Sequence, residues 1–201
     1  MAIEEQPEAF TSQKEAFYKI RESQSGAAAR FFVLHGQEGS RVKECALALS
    51  TEFLKDALIF EQSLEDIKPD TDVEQYWKSL ITRFAKEKGL KIAGRNLGLG
   101  SLINQVVDMI QGQPANTFVF LLSVHHRFWN EGIPALIKQQ LDNQQKASES
   151  LLSRLTRRSV EMDFVFLLTY DDKTAGPMLK AFEGLLPGCI LPGLEPPITS
   201  R

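Results

Sequence analysis

The chain has 201 residues, a formal net charge of −3 at neutral pH and an isoelectric point of about 5.7. Hydrophobic residues make up 43% and charged residues 24%, values typical of a folded globular protein, which excludes an intrinsically disordered chain. The length suits one domain with a sizeable core. The mildly acidic balance argues against nucleic acid as a partner, because nucleic-acid-binding domains are usually basic.

Cysteine usage and apolar runs predict the compartment. Cys45 and Cys189 lie far apart and outside any C-x-x-C spacing, so we predict two reduced core thiols and no metal or redox motif. Residues 1–7 are acidic and lack the apolar run of a signal peptide. The longest apolar run, Phe118–Leu122, is too short to span a bilayer. We therefore expect a cytoplasmic protein without membrane contact.

The first predicted elements are a helix and a buried strand. Phe10, Phe17 and Ile20 recur at helical spacing in residues 1–29, which we assign to a lead-in segment. Phe31–Leu34 is apolar on both faces, which indicates a central strand of a parallel sheet covered by helices.

A glycine-bearing turn and the start of a helix follow, in the arrangement of a phosphate-binding loop. A working loop reads G-x-x-x-x-G-K-[S/T], and its lysine reaches the phosphates. With Gly36 as the first glycine, Arg41 falls at the second glycine, Val42 at the lysine and Lys43 at the hydroxyl residue. The loop keeps the spacing of the pattern, but its second glycine, its lysine and its hydroxyl residue are replaced.

Two interpretations of this loop remain open. Backbone N–H groups near the glycines could hold a phosphate at the helix N-terminus, with Arg41 or Lys43 replacing the missing lysine. Alternatively, the glycines only permit a tight strand-to-helix turn. We expect no cofactor, and ATP or ADP is the candidate ligand under the first interpretation. The candidate cofactor-binding residues are Gly36, Gly39, Ser40, Arg41 and Lys43.

Strands and helices alternate along the rest of the chain, which predicts a three-layer α/β/α sandwich with a mainly parallel, five-stranded sheet. We place one domain at residues 30–195 and a tail at 196–201. The further strands are predicted at 57–61, 117–124, 163–169 and 189–191, and the helices at 40–53, 73–88, 101–111, 134–158 and 178–184.

Ligand sites in such folds lie at the carboxyl ends of the strands. Three stretches should converge there: Gly36–Lys43, Val124–Trp129 and Thr169–Lys173. The order of these parts over residues 30–195 resembles the STAND class of P-loop NTPases, the signalling ATPases that include the NACHT and NB-ARC groups. The resemblance implies a P-loop NTPase fold and, in a working member, ATP hydrolysis with Mg²⁺.

The departures from that class point to an inactive member. In the class, the third strand ends in acids that coordinate Mg²⁺, and a sensor arginine follows the fourth strand. Here the matching run Leu121–His126 contains no acid, and Asp171 stands where the arginine belongs. A negative group at that place would repel a γ-phosphate. With Val42 at the lysine position, three independent elements lack the chemistry, so we predict no catalytic residues.

The three histidines, His35, His125 and His126, all lie at predicted strand ends. One interpretation is a zinc site where these strand ends meet. The other is that they have separate roles, because adjacent residues of an extended segment point to opposite sides. No cysteine or clustered acid completes a tetrahedral ligand set, so we predict no metal site.

Three further features each allow two interpretations. Asp171–Asp172 are either the acids of the fourth strand or a turn-forming pair. Arg154, Arg157 and Arg158 share a helical face, which is either a patch for nucleic acid or an acidic partner, or simply a solvated surface. Phe128–Trp129 are either exposed for a protein contact or packed under the following helix.

The leading hypothesis is a catalytically inactive STAND-like module that serves as a protein-interaction or oligomerisation domain in bacterial signalling or defence, fused to or paired with an effector. One alternative is an ATPase switch with an atypical phosphate loop, which requires Mg²⁺-dependent turnover that is lost when Lys43 is changed. The other is a DNA-associated AAA+-like subunit, similar to the inactive subunits of clamp loaders. That alternative requires DNA binding with a steep salt dependence.

Overall fold

The computed structural model describes residues 10–27, 29–53, 57–68, 70–94, 97–98, 101–102, 105–106, 108, 117–138 and 161–196. Within them, four strands form one parallel sheet in the order β1-β4-β3-β2. The strands are β1 Ala29–Gln37, β2 Leu58–Ser63, β3 Thr117–His125 and β4 Glu161–Tyr170. The helices are α1 Thr11–Ser23, α2 Val42–Phe53, α3 Val73–Glu87, a 3-10 turn His126–Phe128 and α4 Ala175–Leu185; residues 132–138 are also helical.

The two faces of the sheet bury separate cores, which makes the fold a three-layer α/β sandwich. Side chains alternate along β1, so Phe32 and Leu34 lie in one core and Val33 in the other. The first core is closed by α1 and α2, with Phe17 stacked on Phe32 at a ring-centroid distance of 4.3 Å. The second is closed by α3, α4 and the helical residues 132–138. The predicted α/β sandwich with a parallel sheet is therefore confirmed.

The predicted fifth strand, Cys189–Leu191, does not form a continuous strand. The segment makes two isolated parallel bridges to β1, Val33 with Ile190 and Gly36 with Leu194, which differ in register by one residue. The interruption falls at Pro192, which has no backbone N–H to donate to a ladder. The segment stays against β1 through three backbone hydrogen bonds, whose N···O distances are 2.8–2.9 Å: Val33 to Cys189, Leu191 to Val33, and Leu194 to His35.

Several predicted boundaries shift. Helix α2 begins at Val42 rather than Ser40, and α4 begins at Ala175 rather than Met178. Most of the predicted helices 101–111 and 134–158 lies outside the described residues, as do residues 1–9 and 197–201. In the part of the chain that is described, no helix combines the length and the apolar character needed to cross a membrane.

Candidate functional site

The β1–α2 turn contains only four residues, 38–41, because Gly36 lies inside β1 and Lys43 inside α2. The backbone N–H of Ser40 donates to the carbonyl oxygen of Gln37 at 2.9 Å, and Gly39 has a φ of +91°, as the third residue of a type II turn requires. The N–H of Glu38 donates to the carbonyl of Tyr170 at 2.8 Å. Two backbone donors that could have faced a phosphate are thus used inside the protein.

Gly36 is required here by close packing. It is buried, and a Cβ added to it would lie 2.7 Å from the carbonyl oxygen of Leu194 and would also overlap the hydroxyl of Ser40. That hydroxyl is buried and has no hydrogen-bond partner among the described residues. The first backbone bond of α2 runs from Cys45 N–H to Arg41, so Arg41 rather than Ser40 occupies the N-cap position.

The two cations proposed to replace the missing lysine are both paired with carboxylates. Arg41 pairs with Glu44, and its guanidinium lies 5.4 Å from the centre of the Phe10 ring. Lys43 Nζ lies 2.5 Å from the carboxylate of Glu61 on β2. The geometry of the turn therefore fits the tight-turn interpretation better than the phosphate-binding one.

The turn after β3 reaches across to the β1–α2 turn. Arg127 Nη2 lies 2.8 Å from Glu38 Oε1, and His125 Nε2 lies 3.7 Å from the same oxygen. His125 Nδ1 accepts the backbone N–H of Arg127 at 3.2 Å, which places the proton of the neutral ring on Nε2. Burial, followed by the neighbouring His126, lowers the pKa of His125, so the ring is neutral at pH 7.

Asp171 shapes the turn after β4. Its Oδ1 accepts the backbone N–H and the hydroxyl of Thr174 at 2.9 and 2.7 Å, and the N–H of Lys173 at 3.2 Å. These hydrogen bonds, those from Thr174 above all, lower the pKa of Asp171. Asp172 accepts a hydrogen bond from Gln37 Nε2 at 2.9 Å. The pair therefore acts as a turn-forming pair, as one of the two interpretations held.

The His125 and His126 rings lie side by side, with centroids 4.4 Å apart, which corrects the expectation that they point to opposite sides, whereas His35 has different partners. His35 is buried between the hydroxyl of Tyr170, 2.7 Å from its Nδ1, and the carbonyl of Leu191, 2.8 Å from its Nε2. Burial lowers the pKa of His35. His126 Nε2 lies 4.0 Å from Asp171. In the described part of the chain, no group of three or more histidine, cysteine or acidic side chains could hold a metal ion.

Phe128 and Trp129 differ in exposure. Phe128 is 44% exposed, whereas Trp129 is half-buried, with its ring centre 6.1 Å from that of Phe182 on α4. One residue of the pair is thus available for a contact, and the other packs in the core. The proposed arginine patch, Arg154, Arg157 and Arg158, lies outside the described residues.

The sequence predicted that three strand ends meet at one edge of the sheet. It did not predict the ion pair between Glu38 and Arg127. They are 89 residues apart, Arg127 lies outside the loop pattern, and the pattern sets no residue type at the position of Glu38. The available signal was their position: Glu38 directly follows one strand, and Arg127 lies two residues past another, in a sheet whose strands are parallel.

No family model matches the chain, and neither does any curated protein sequence. The fold is similar to two solved archaeal structures, both AAA+ ATPases with a P-loop NTPase fold. Cdc6p from Pyrobaculum aerophilum is 11% identical, with a TM-score of 0.56 over 94% of this chain and 46% of its own. The ORC2 protein of Aeropyrum pernix, solved as ADPNP–ADP complexes, is 12% identical, with a TM-score of 0.50 over 94% and 48%.

At such low identity the similarity shows the fold alone. The chain spans about half the length of these two proteins. The protein thus has an α/β fold similar to that of these two AAA+ proteins, with a parallel sheet of four strands in the described residues.

Proposed function

We propose that this chain is a nucleotide-independent, AAA+-like module of the inactive STAND kind, which acts through protein–protein contacts in bacterial signalling or defence. The observation that carries the proposal is the β1–α2 turn. It has only four residues, uses the N–H groups of Glu38 and Ser40 internally, and presents the carboxylate of Glu38 at its tip. A phosphate needs free N–H donors and positive charge at this position, and a carboxylate there repels it.

Among the described residues, the ends of β1, β3 and β4 do not carry free side chains that could replace the usual Mg²⁺ ligands. Mg²⁺ in this fold class takes a hydroxyl from the loop and an acid from the sheet. Here Lys43 stands at the hydroxyl position, and β3 ends in His125. The acid that follows β4, Asp171, is occupied with the N–H groups and hydroxyl of its own turn.

A contact role is supported by what the carboxyl edge of the sheet exposes. Phe128 is one of the two large hydrophobic side chains that are exposed among the described residues, and Arg127 next to it is 66% exposed. Aromatic and arginine side chains are enriched in protein interfaces. We propose a protein partner or an effector as the ligand, with self-association as a further form of the same role.

A thermal melt of the full chain with and without millimolar Mg-ATP or Mg-ADP tests this proposal. Binding to the folded state stabilises it by RT ln(1 + [L]/Kd), so a bound nucleotide must raise the midpoint. We expect no rise and no Mg²⁺-dependent ATP turnover. A raised midpoint, or turnover that disappears in Lys43→Ala, would instead support the ATPase switch with an atypical loop.

The fold similarity to Cdc6p and ORC2 supports a second hypothesis, a DNA-associated AAA+-like subunit. It predicts binding to duplex or primer-template DNA that weakens steeply with salt and is lost when Arg154, Arg157 and Arg158 are replaced. The net charge of −3 argues against it. Fluorescence anisotropy with labelled DNA at two salt concentrations separates the two hypotheses, because the first predicts no binding at either.

A further inference from the structure

We propose that the turn after β3 is a docking site for a carboxylate-bearing segment of a protein partner, and that Glu38 is its internal occupant. The inference rests on the proposed function, since it names the partner chemistry of a contact module. The site consists of Arg127, His125 and Phe128, and we call it the β3 turn site.

Two side chains of the β3 turn site lie near one oxygen atom, and Arg127 is the one within hydrogen-bond distance of it. Glu38 Oε1 lies 2.8 Å from Arg127 Nη2 and 3.7 Å from His125 Nε2. A carboxylate is the natural acceptor for a guanidinium, because the charge-assisted hydrogen bond is about twice as strong as a neutral one. The position of Glu38 Oε1 therefore marks where a partner's carboxylate would bind.

The backbone of the turn fixes His125 as a donor. Its Nδ1 accepts the N–H of Arg127, so the neutral ring carries its proton on Nε2, the atom that faces the carboxylate. The 3-10 turn is closed by a hydrogen bond from Trp129 N–H to the carbonyl of His126 at 3.1 Å. The site is thus held by the backbone rather than by the carboxylate that occupies it.

The internal occupant is easily displaced. Glu38 sits at the tip of the β1–α2 turn, and the side chains of Arg127 and Glu38 are 66% and 49% exposed. A salt bridge this exposed is screened by water and salt and contributes little to stability. A carboxylate from a partner, held in addition by other contacts, would compete with Glu38 for Arg127.

Phe128 adds an apolar contact beside the carboxylate position. Its ring is 44% exposed, and its centre lies 6.2 Å from that of His125. An aromatic ring next to an arginine is the side-chain combination that dominates many interfaces. The partner segment therefore fits best if it carries an acidic residue next to a large apolar one.

The charges around the site favour a single carboxylate over a phosphate chain. Glu38, Asp171 and Asp172 all lie at this edge of the sheet, because they follow the neighbouring strands β1 and β4. A carboxylate that displaces Glu38 adds one negative charge at this edge, which is the smallest addition that an anionic ligand can make. A triphosphate would add several charges next to three carboxylates, which costs free energy by like-charge repulsion.

The test uses the full chain and a fluorescein-labelled, C-terminally amidated peptide, Gly-Ser-Glu-Phe-Ser-Gly, with a twin in which the glutamate is glutamine. Glu38→Gln removes the internal competitor and should bind the acidic peptide about three- to fivefold more tightly than wild type. Arg127→Gln in the Glu38→Gln background should weaken binding by about tenfold or more. Phe128→Ser should also weaken it, while Lys19→Gln on α1 serves as a charge-matched control with no expected effect. Thermal melts verify that each variant is folded.

The inference is overturned if folded Glu38→Gln protein binds the acidic peptide no more tightly than wild type, or if Arg127→Gln leaves binding unchanged. It is also overturned if the glutamine twin binds equally well, or if inorganic phosphate displaces the peptide at comparable concentration. If nucleotide does not raise the midpoint of the thermal melt and the peptide does not bind, this inference is wrong, and the contacts of the proposed function must lie on another surface. If nucleotide raises the midpoint of the thermal melt, the proposed function itself is wrong.

Discussion

Two arginine–carboxylate pairs lie at opposite ends of this sheet. At the amino end, Arg30 of β1 and Asp163 of β4 are register partners, with an N···O distance of 2.6 Å and side chains that are 6% and 0% exposed. At the carboxyl end, Arg127 and Glu38 are 2.8 Å apart and are 66% and 49% exposed. The chemistry and the distance are nearly the same, and only the burial differs.

That difference decides what each pair can do. Removing one partner from a buried pair leaves an uncompensated charge out of reach of water, so the pair must stay intact in the folded state. An exposed pair exchanges its partners with water and salt at little cost. The pair at the amino end is therefore part of the fold, whereas the pair at the carboxyl end is accessible to solvent.

The largest expected effect comes from breaking the buried pair. Asp163→Asn removes the carboxylate charge beside a buried guanidinium, and we expect a loss of about 3–5 kcal/mol in the free energy of unfolding. Urea denaturation followed by circular dichroism measures it. The double variant Arg30→Met/Asp163→Leu is the control, since replacing both charges by apolar groups should recover most of the stability. A double variant as unstable as Asp163→Asn would contradict this account.

The second prediction concerns Gly36, a tightly packed residue at the carboxyl end, close in sequence to the exposed Glu38. Gly36→Ala places a methyl group against the Leu194 carbonyl and the Ser40 hydroxyl, and should cost about 1–3 kcal/mol. Gly184→Ala on α4, where nothing lies within 4 Å, is the matched control and should be neutral or slightly stabilising. Equal unfolding midpoints for the two variants would show that the turn is not tightly packed.

The pH dependence of stability tests the contribution of His35, a buried polar residue of β1. Burial holds the pKa of His35 below its unfolded value, so the unfolded chain binds the proton more readily. The contribution is fully present above the unfolded pKa of about 6.5 and is lost as the pH falls toward the folded value. We expect wild type to lose stability between pH 7.5 and pH 5, and His35→Gln to lose less. Identical slopes in urea titrations would assign the effect to other groups, such as His125, whose pKa is also lowered.

The smallest effect is expected from breaking the exposed pair. Arg127→Gln or Glu38→Gln should change the free energy of unfolding by less than about 1 kcal/mol, because the pair is largely solvated. The same urea titrations measure this change next to Asp163→Asn. A loss comparable to that of the buried pair would mean that Glu38 is a structural anchor, and would remove the basis for an exchangeable site.

The hydrophobic pattern was sufficient to predict the sheet. Runs such as Phe31–Leu34 and Phe118–Leu122 are apolar on both faces, which only a covered parallel strand explains, and both lie inside observed strands. The prediction failed at Cys189–Leu191, where the apolar run is right but Pro192 interrupts the ladder. The apolar pattern indicates that a segment can be extended. It does not indicate whether each of its backbone groups finds a hydrogen-bond partner on the neighbouring strand.

The candidate site was only partly predictable for the same reason. The pattern placed Gly36 in a loop, yet it lies inside β1, because loop length depends on where the strand pairing ends. The link between Glu38 and Arg127 joins two turns through tertiary structure, and no local spacing encodes it. Residue types predicted which residues of a phosphate-binding loop are replaced, but only the fold showed the contact between Glu38 and Arg127.

The proposed function requires that the β1–α2 turn does not hold a nucleotide. The most direct test is a titration of the ¹⁵N-labelled full chain with millimolar Mg-ADP, which follows the backbone amides of Gly39, Ser40, Arg41 and Lys43 by NMR. We expect no saturable shift at these amides, because the N–H of Ser40 is bonded to Gln37 and the carboxylate of Glu38 lies in the same turn. Saturable shifts at these four positions would contradict the claim and identify the turn as a working phosphate site.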